Sequence, residues 1–199
     1  MEKILSNFPM DTSIIFEAAS TEQHFNQILS LQKKNLYTEI SVEQQSQEGF
    51  VFVQHTFKIL QAMASEAPQI IALSNDQVVG YTLAMTPSMK DKIPCLLPMF
   101  AQFEQIKYKG KALSDYSYIV GGQICVSKEF RGIGLSSLLY SETKKRTQDT
   151  CELCITEVSR RNVASLKAHL KAGFEVVNTY NDGKEVWDVL VWDFRKEKN

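Results

Sequence analysis

The stretch "QICVSKEFRGIGLSSLLYSETKKR", residues 123–146, constrains this chain more than any other. An apolar strand runs into a turn with glycines at 132 and 134, and a helix follows that can bury Leu135, Leu138 and Leu139. Glycine takes left-handed backbone conformations without a Cβ penalty, so several amide N–H groups can point at one place. Helix N-termini favour anions for the same reason. Arg131 adds a charged donor suited to phosphate, and Ser136 and Ser137 can add hydroxyls. Read alone, the motif fits an ordinary glycine turn as well as a phosphate cradle. Lys144, Lys145 and Arg146 suit the C-terminal end of the helix dipole and need no ligand.

Other phosphate motifs are missing. The sequence has no G-x-x-x-x-G-K-[ST], and the turn lacks the G-x-G-x-x-G order and acidic residue of a dinucleotide fold. Nucleotide hydrolysis and hydride transfer both lose ground. A formal net charge of -1, from 22 basic and 23 acidic residues, gives no general pull toward nucleic acid or anionic membranes. Any anion site must be local. The leader "MEKILSNFPMDTS" lacks the apolar run and cleavage site of a secretory signal, and no later stretch can span a bilayer, so a cytoplasmic protein is expected. Of the cysteines, Cys95 and Cys125 stand alone, and the Cys151-x-x-Cys154 pair has neither a second pair nor a neighbouring histidine. They read as small apolar residues on strands, with no metal expected.

A chain of 199 residues favours one domain, 1–199, perhaps with an insertion. "SIIFEAAS" reads as a short strand, and Thr21 with Glu22 opens a helix through residue 36 with Phe25, Ile28, Leu29 and Leu36 as its buried stripe. A second helical region, interrupted or bent, covers 41–67, where Phe57, Leu60 and Met63 recur at helical spacing before Pro68. Residues 69–86 read as two antiparallel strands around an Asn-Asp turn. Residues 87–117, punctuated by Pro87, Pro94 and Pro98, form an insertion with a short helix that either shapes a substrate pocket or merely covers the sheet edge. "YIVGGQICV" is a strand whose Gly121-Gly122 pair invites a bulge. Strand "CELCITEVS", helix "NVASLKAHLKAG" ended by Gly173, and a hairpin around "YNDGK" with Trp187 and Trp192 on its second strand complete a mixed α/β sheet.

Two of these motifs together resemble those of the GCN5-related N-acetyltransferases, or GNAT proteins. The run Arg131-Gly132-Ile133-Gly134-Leu135-Ser136 is similar to the family's Q/R-x-x-G-x-G/A loop, with Ser136 in place of the final glycine or alanine. The run from Asn162 to Phe174 is similar to the family's Asn-containing helix ending in Gly-Phe. The two stand in the right order and separation, covering 118–180 by motif and 12–86 by order of elements only. The resemblance implies a mostly antiparallel, twisted sheet flanked by helices, with splayed central strands. It implies acetyl-coenzyme A as co-substrate, its pyrophosphate on the backbone from Arg131 to Ser136 and its pantetheine arm along Ile124, Cys125 and Val126. The Gly121-Gly122 pair is placed to cause the splay, and Asn162 matches the position that hydrogen-bonds the cofactor arm.

Acetyl transfer to an amine needs a base, because an alkylamine with a pKa of about 10 is protonated at neutral pH. Glu157 shares a strand face with Leu153 and Ile155, surroundings that raise a carboxylate pKa. It also matches the catalytic glutamate of the ribosomal-protein N-terminal acetyltransferase branch; the plain alternative is a carboxylate paired with Arg160 or Arg161. His169 takes the place of the family's thiolate-protonating tyrosine. It can act as an acid, orient a water, hydrogen-bond the cofactor, or simply sit on a half-buried helix face. The expected activity is transfer of acetyl to a primary amine by direct attack in a ternary complex. A small-molecule amine is favoured over a protein N-terminus because the insertion narrows the cleft. The rival is a GNAT-fold protein that binds coenzyme A as a sensor or partner domain without catalysis. The chain is expected to be a monomer or homodimer.

Overall fold

The computed structural model describes residues 13–195; the leader read above therefore lies, apart from Ser13, outside the described residues. Strand β1 (Ile15–Ala18) leads to α1 (Glu22–Lys33), whose N-cap Thr21 accepts from the His24 amide. The helix ends at Lys33, before the expected Leu36, and buries Leu31 where Leu29 was expected; Leu29 is only half-buried. The interrupted helical region resolves into α2 (Val42–Glu48) and α3 (Phe57–Glu66). Gly49, at φ 77°, stops the first, and Thr56 caps the second. The expected hairpin is present as β2 (Ile70–Ser74) and β3 (Gln77–Met85), joined through Asn75 and Asp76, both at positive φ as a two-residue hairpin turn demands.

The insertion contains α4 (Leu97–Gln105) and a small hairpin of β4 (Lys107–Tyr108) and β5 (Lys111–Ala112). Its Met89, Met99, Phe100, Phe103 and Leu113 are buried in the main hydrophobic cluster. It is therefore part of the core, since each such side chain contributes ~1.5–3 kcal/mol on burial. Then follow β6 (Tyr118–Val126), α5 (Leu135–Thr147), β7 (Leu153–Ser159), α6 (Val163–Ala172), β8 (Glu175–Asn181) and β9 (Val186–Asp193).

Among the described residues, seven strands form one sheet in the order β1-β2-β3-β6-β7-β9-β8. All pairs are antiparallel except β6–β7. Phe25, Ile28, Leu60, Met63 and Phe103 pack on one face against Tyr81, Leu83 and Met85. On the other, Leu135 and Leu139 of α5 pack on Ile70, Ala72 and Val79, and Thr143 meets Thr82 hydroxyl to hydroxyl at 2.7 Å. Leu138 is only half-buried; Tyr140 is the buried member of that helix face. Among the described residues no helix is long and apolar enough to cross a membrane, and no three His, Cys, Asp or Glu side chains cluster as metal ligands.

Candidate active site

The site begins where the sheet splits. Strands β6 and β7 pair only through Tyr118–Leu153, Ile119–Cys154 and Val120–Ile155, and beyond Val120 they part. On its other side β6 stays paired with β3, but the register slips between Leu83 and Ala84, leaving Gly122 as the extra residue. A Cβ on Gly122 would fall 2.5 Å from Met85 Cε, so a larger residue could not sit there unless Met85 moved. Thr156 Oγ1 donates to the Gly121 carbonyl at 2.7 Å across the start of the split. Among the described residues, the edge of Ile124, Cys125 and Val126 that faces away from β3 is consequently not paired by a strand.

At the end of β6 the chain turns through Arg131 to Ser136. Gly132 and Gly134 both lie in the left-handed region, at φ 78° and 86°, and Gly134 forms the N-cap of α5 without any side-chain cap. Of the first-turn amides of α5, that of Ser137 donates to the Gly134 carbonyl at 3.0 Å, and those of Leu135 and Ser136 have no acceptor within the helix. A Cβ at either glycine would meet nothing within 4 Å, so the loop faces open space. That space is a cavity of about 470 Å³ lined by Gly132, Ser136, Val126, Lys128 and Ala168 among others. The Arg131 side chain differs from expectation. Its guanidinium is already engaged, with Nε donating to the Val126 carbonyl at 3.0 Å, and its two terminal nitrogens to Glu48 and Asn35, each at 2.6 Å. Arg131 lines the cavity together with Glu48, its charge already matched by that carboxylate.

The other end of the split is a smaller cavity of about 100 Å³, lined by Glu157, Gly122, Gln123, Ser159, His169, Phe52 and Trp187 among others. Glu157 is half-buried, and burial pushes its carboxyl up to about 7, against the opposing hydrogen bond donated by the Tyr180 hydroxyl. Neither expected arginine pairs with it: Arg160 joins Asp188 at 3.2 Å and Arg161 joins Glu185 at 2.7 Å. The Ser159 hydroxyl is buried in the same wall without a hydrogen-bond partner among the described residues.

His169 lies deeper than a half-buried helix face. It is 3% exposed, its Nδ1 lies 2.7 Å from the Ser165 carbonyl, and its Nε2 lies 2.6 Å from the Tyr140 hydroxyl. A carbonyl only accepts, so Nδ1 carries the proton and Nε2 accepts from Tyr140. Burial pushes its pKa down to about 4, and Tyr140 and Phe174 pack against the ring. The ring is neutral at neutral pH. Asn162 caps α6, its Oδ1 accepting from the Ser165 amide at 3.3 Å, while its Nδ2 donates to the Phe50 carbonyl at 2.8 Å.

No protein-family model matches the chain, and no curated protein matches it. Solved structures do. A GNAT-family acetyltransferase from Streptococcus agalactiae superposes with a TM-score of 0.59 at 18% identity, over 93% of this chain and 96% of that one. The chain has the GNAT fold. NAA60 of Arabidopsis thaliana, in complex with acetyl-CoA, superposes at TM-score 0.63 and 12% identity, over 91% and 99% of the two chains. A chain of the NatC complex bound to Gag peptide and CoA gives 0.59 and 14%, over 91% and 98%.

Within this GNAT fold, Glu157, Asn162 and His169 meet at one cavity, and Gly132 and Ser136 of the loop with Ile124, Cys125 and Val126 line the other. Ile124 borders both. Sequence reasoning missed Gln123, Phe52 and Trp187 at the first cavity, Tyr180 as the hydrogen-bond donor to Glu157, and Glu48 at the second cavity. Leu96 and Met99 also line the first, so the insertion does contribute to a pocket wall.

Proposed function

We propose that the protein is an acetyl-CoA-dependent N-acetyltransferase acting on the primary amine of a small molecule in a ternary complex. The observation that carries this is the strand split, with a left-handed glycine loop at one end and a raised-pKa carboxylate at the other. The residues fit coenzyme A. First-turn amides of α5 suit a pyrophosphate, the free edge of β6 suits amide groups, and the unpartnered Ser159 hydroxyl would gain a partner from a bound ligand. Acetyl-CoA would supply an activated acetyl group.

Glu157 takes the proton from the amine. Only its carboxylate form can do so, hence kcat/KM is expected to rise with pH and level off above about 7, where the carboxyl is ionised. Tyr180 steadies the carboxylate, since its hydrogen bond lowers the pKa. Tyr180→Phe is therefore expected to move this limb to higher pH and reduce kcat/KM at pH 7 on the order of threefold, with less loss at pH 9. A pH–rate series reads both. His169, as a neutral ring bonded to Tyr140 and Ser165, positions α6 and does not donate a proton.

Among its lining residues the smaller cavity has one carboxylate and no Lys or Arg, and its walls include Met85, Leu96, Met99, Phe52 and Trp187. That chemistry favours an amine on an apolar body and discriminates against an acidic one. A peptide N-terminal amine is the second reading, favoured by the shared fold with the peptide-bound NatC chain. Thiol release from acetyl-CoA, measured across apolar amines, acidic amines and short peptides, tests the assignment. Fastest release with apolar amines is expected; faster release with peptides would reverse the ranking, and tight binding with no turnover would make the protein a coenzyme A sensor.

A further inference from the structure

The segment from Asn35 to Val53, between α1 and α3, lies across the strand split and is fastened there by the residues of the site itself. Arg131 in the glycine loop holds Asn35 and Glu48, and Lys128 adds a 3.0 Å ion pair to Glu48. Asn162 at the start of α6 donates to the Phe50 carbonyl, and Gln123 on β6 donates to the Val53 carbonyl at 3.0 Å. Arg161 donates to Gln45 and stacks 4.4 Å from the Phe50 ring, and Phe52 packs on Trp187 with centroids 4.9 Å apart. The approach at Asn162 is tight: a Cβ on Gly49 would come within 2.9 Å of its Oδ1.

This fastening conflicts with the ligand. Phe50 and Val51 wall both cavities, so the segment stands at the neck between the glycine loop and Glu157. With it in place the cavity at Glu157 measures about 100 Å³. Pockets for small molecules run to roughly 300–1,000 Å³, and the end of a pantetheine arm together with an amine needs more than the space present. The two anchors are also chemical stand-ins. The Glu48 carboxylate occupies the guanidinium of Arg131 as an anionic phosphate oxygen would, and the Phe50 carbonyl takes the hydrogen bond of Asn162 as an amide carbonyl of a ligand would.

We propose that residues 35–53 form a strap over the cofactor cleft, locked by Glu48 on Arg131 and Phe50 on Asn162, which coenzyme A must displace to bind. This rests on the acetyl-CoA reading. Coenzyme A affinity is thereby set by competition with the chain's own carboxylate as well as by the loop.

The test is titration calorimetry of coenzyme A against the wild-type chain and Glu48→Gln, with hydrogen exchange of residues 35–53 followed in parallel. Glu48 is half-exposed, so the variant keeps its fold. The expected result is about tenfold tighter binding by Glu48→Gln, the removed anion–cation lock amounting to ~1.4 kcal/mol. Strap amides should exchange faster in wild type once coenzyme A is bound, and faster in Glu48→Gln even without it. Equal or weaker binding by Glu48→Gln, or strap amides that slow on binding, would overturn the strap while leaving the acetyltransferase reading in place. Binding by neither protein would overturn both.

Discussion

Glu157→Gln is expected to lower kcat for acetyl transfer between a hundredfold and ten-thousandfold, roughly the span of general-base catalysis, with little change in acetyl-CoA affinity. Glutamine keeps the volume and can still accept the Tyr180 hydrogen bond, but it cannot take a proton at neutral pH. An alkylamine with a pKa of about 10 is then left to bulk water for deprotonation. Unchanged turnover would remove Glu157 from the chemistry. The same substitution has an opposite effect on stability. The folded carboxyl titrates near 7 against an ordinary 4.5, so the folded state holds its proton more tightly, and ionisation costs stability. That cost is absent below pH 4.5, grows between 4.5 and 7, and is complete above 7. Glu157→Gln is accordingly expected to raise stability by roughly 3 kcal/mol at most at pH 8, with no gain at pH 4. Thermal melts at the two pH values measure it. A better-folded, slower enzyme is the signature of a carboxylate held for function.

Gly134→Val is expected to weaken acetyl-CoA binding at least about a hundredfold, a loss of ~2.7 kcal/mol or more. Gly134 sits at φ 86°, where a β-branched residue is strained, and its missing Cβ faces open space at the helix start. Among the described residues nothing stands there for a side chain to strike, so the fold tolerates the change at the cost of backbone strain; an anion approaching the amides does not. Gly183→Val makes the control. Gly183, in the turn between β8 and β9, also has a left-handed φ, 90°, and nothing within 4 Å of a Cβ. It should lower the melting temperature by a similar amount and leave affinity unchanged. Equal losses of affinity at both positions would mean that backbone strain, rather than the cradle, accounts for the effect.

What the sequence discloses here is local. The glycine loop, the Asn75-Asp76 turn, the Thr21 cap and the Gly121-Gly122 bulge are each set by residues within a few positions, through backbone conformations that few residues accept. The second motif added order and spacing, enough for the GNAT resemblance, which in turn implies the splayed sheet. The parts that escaped depend on distant partners. Tyr180 reaches Glu157 only because β9 lies between β7 and β8, a strand order with no local signature. The charge of His169 is decided by burial, and Tyr140, which donates to its Nε2, comes from the neighbouring helix. Arg131 reads as a phosphate donor, and its pairing with Glu48, 83 positions earlier, has no local signal. The 41–67 region carried helical spacing, yet Phe50 to Val53 fall outside both helices, because Asn162 and Gln123 bind their carbonyls.

Titration calorimetry of acetyl-CoA against the unaltered chain tests the central claim most directly. Saturable one-to-one binding in the micromolar range, abolished in Gly134→Val and retained in Glu157→Gln, is the predicted result. Absence of binding at high micromolar acetyl-CoA would contradict it.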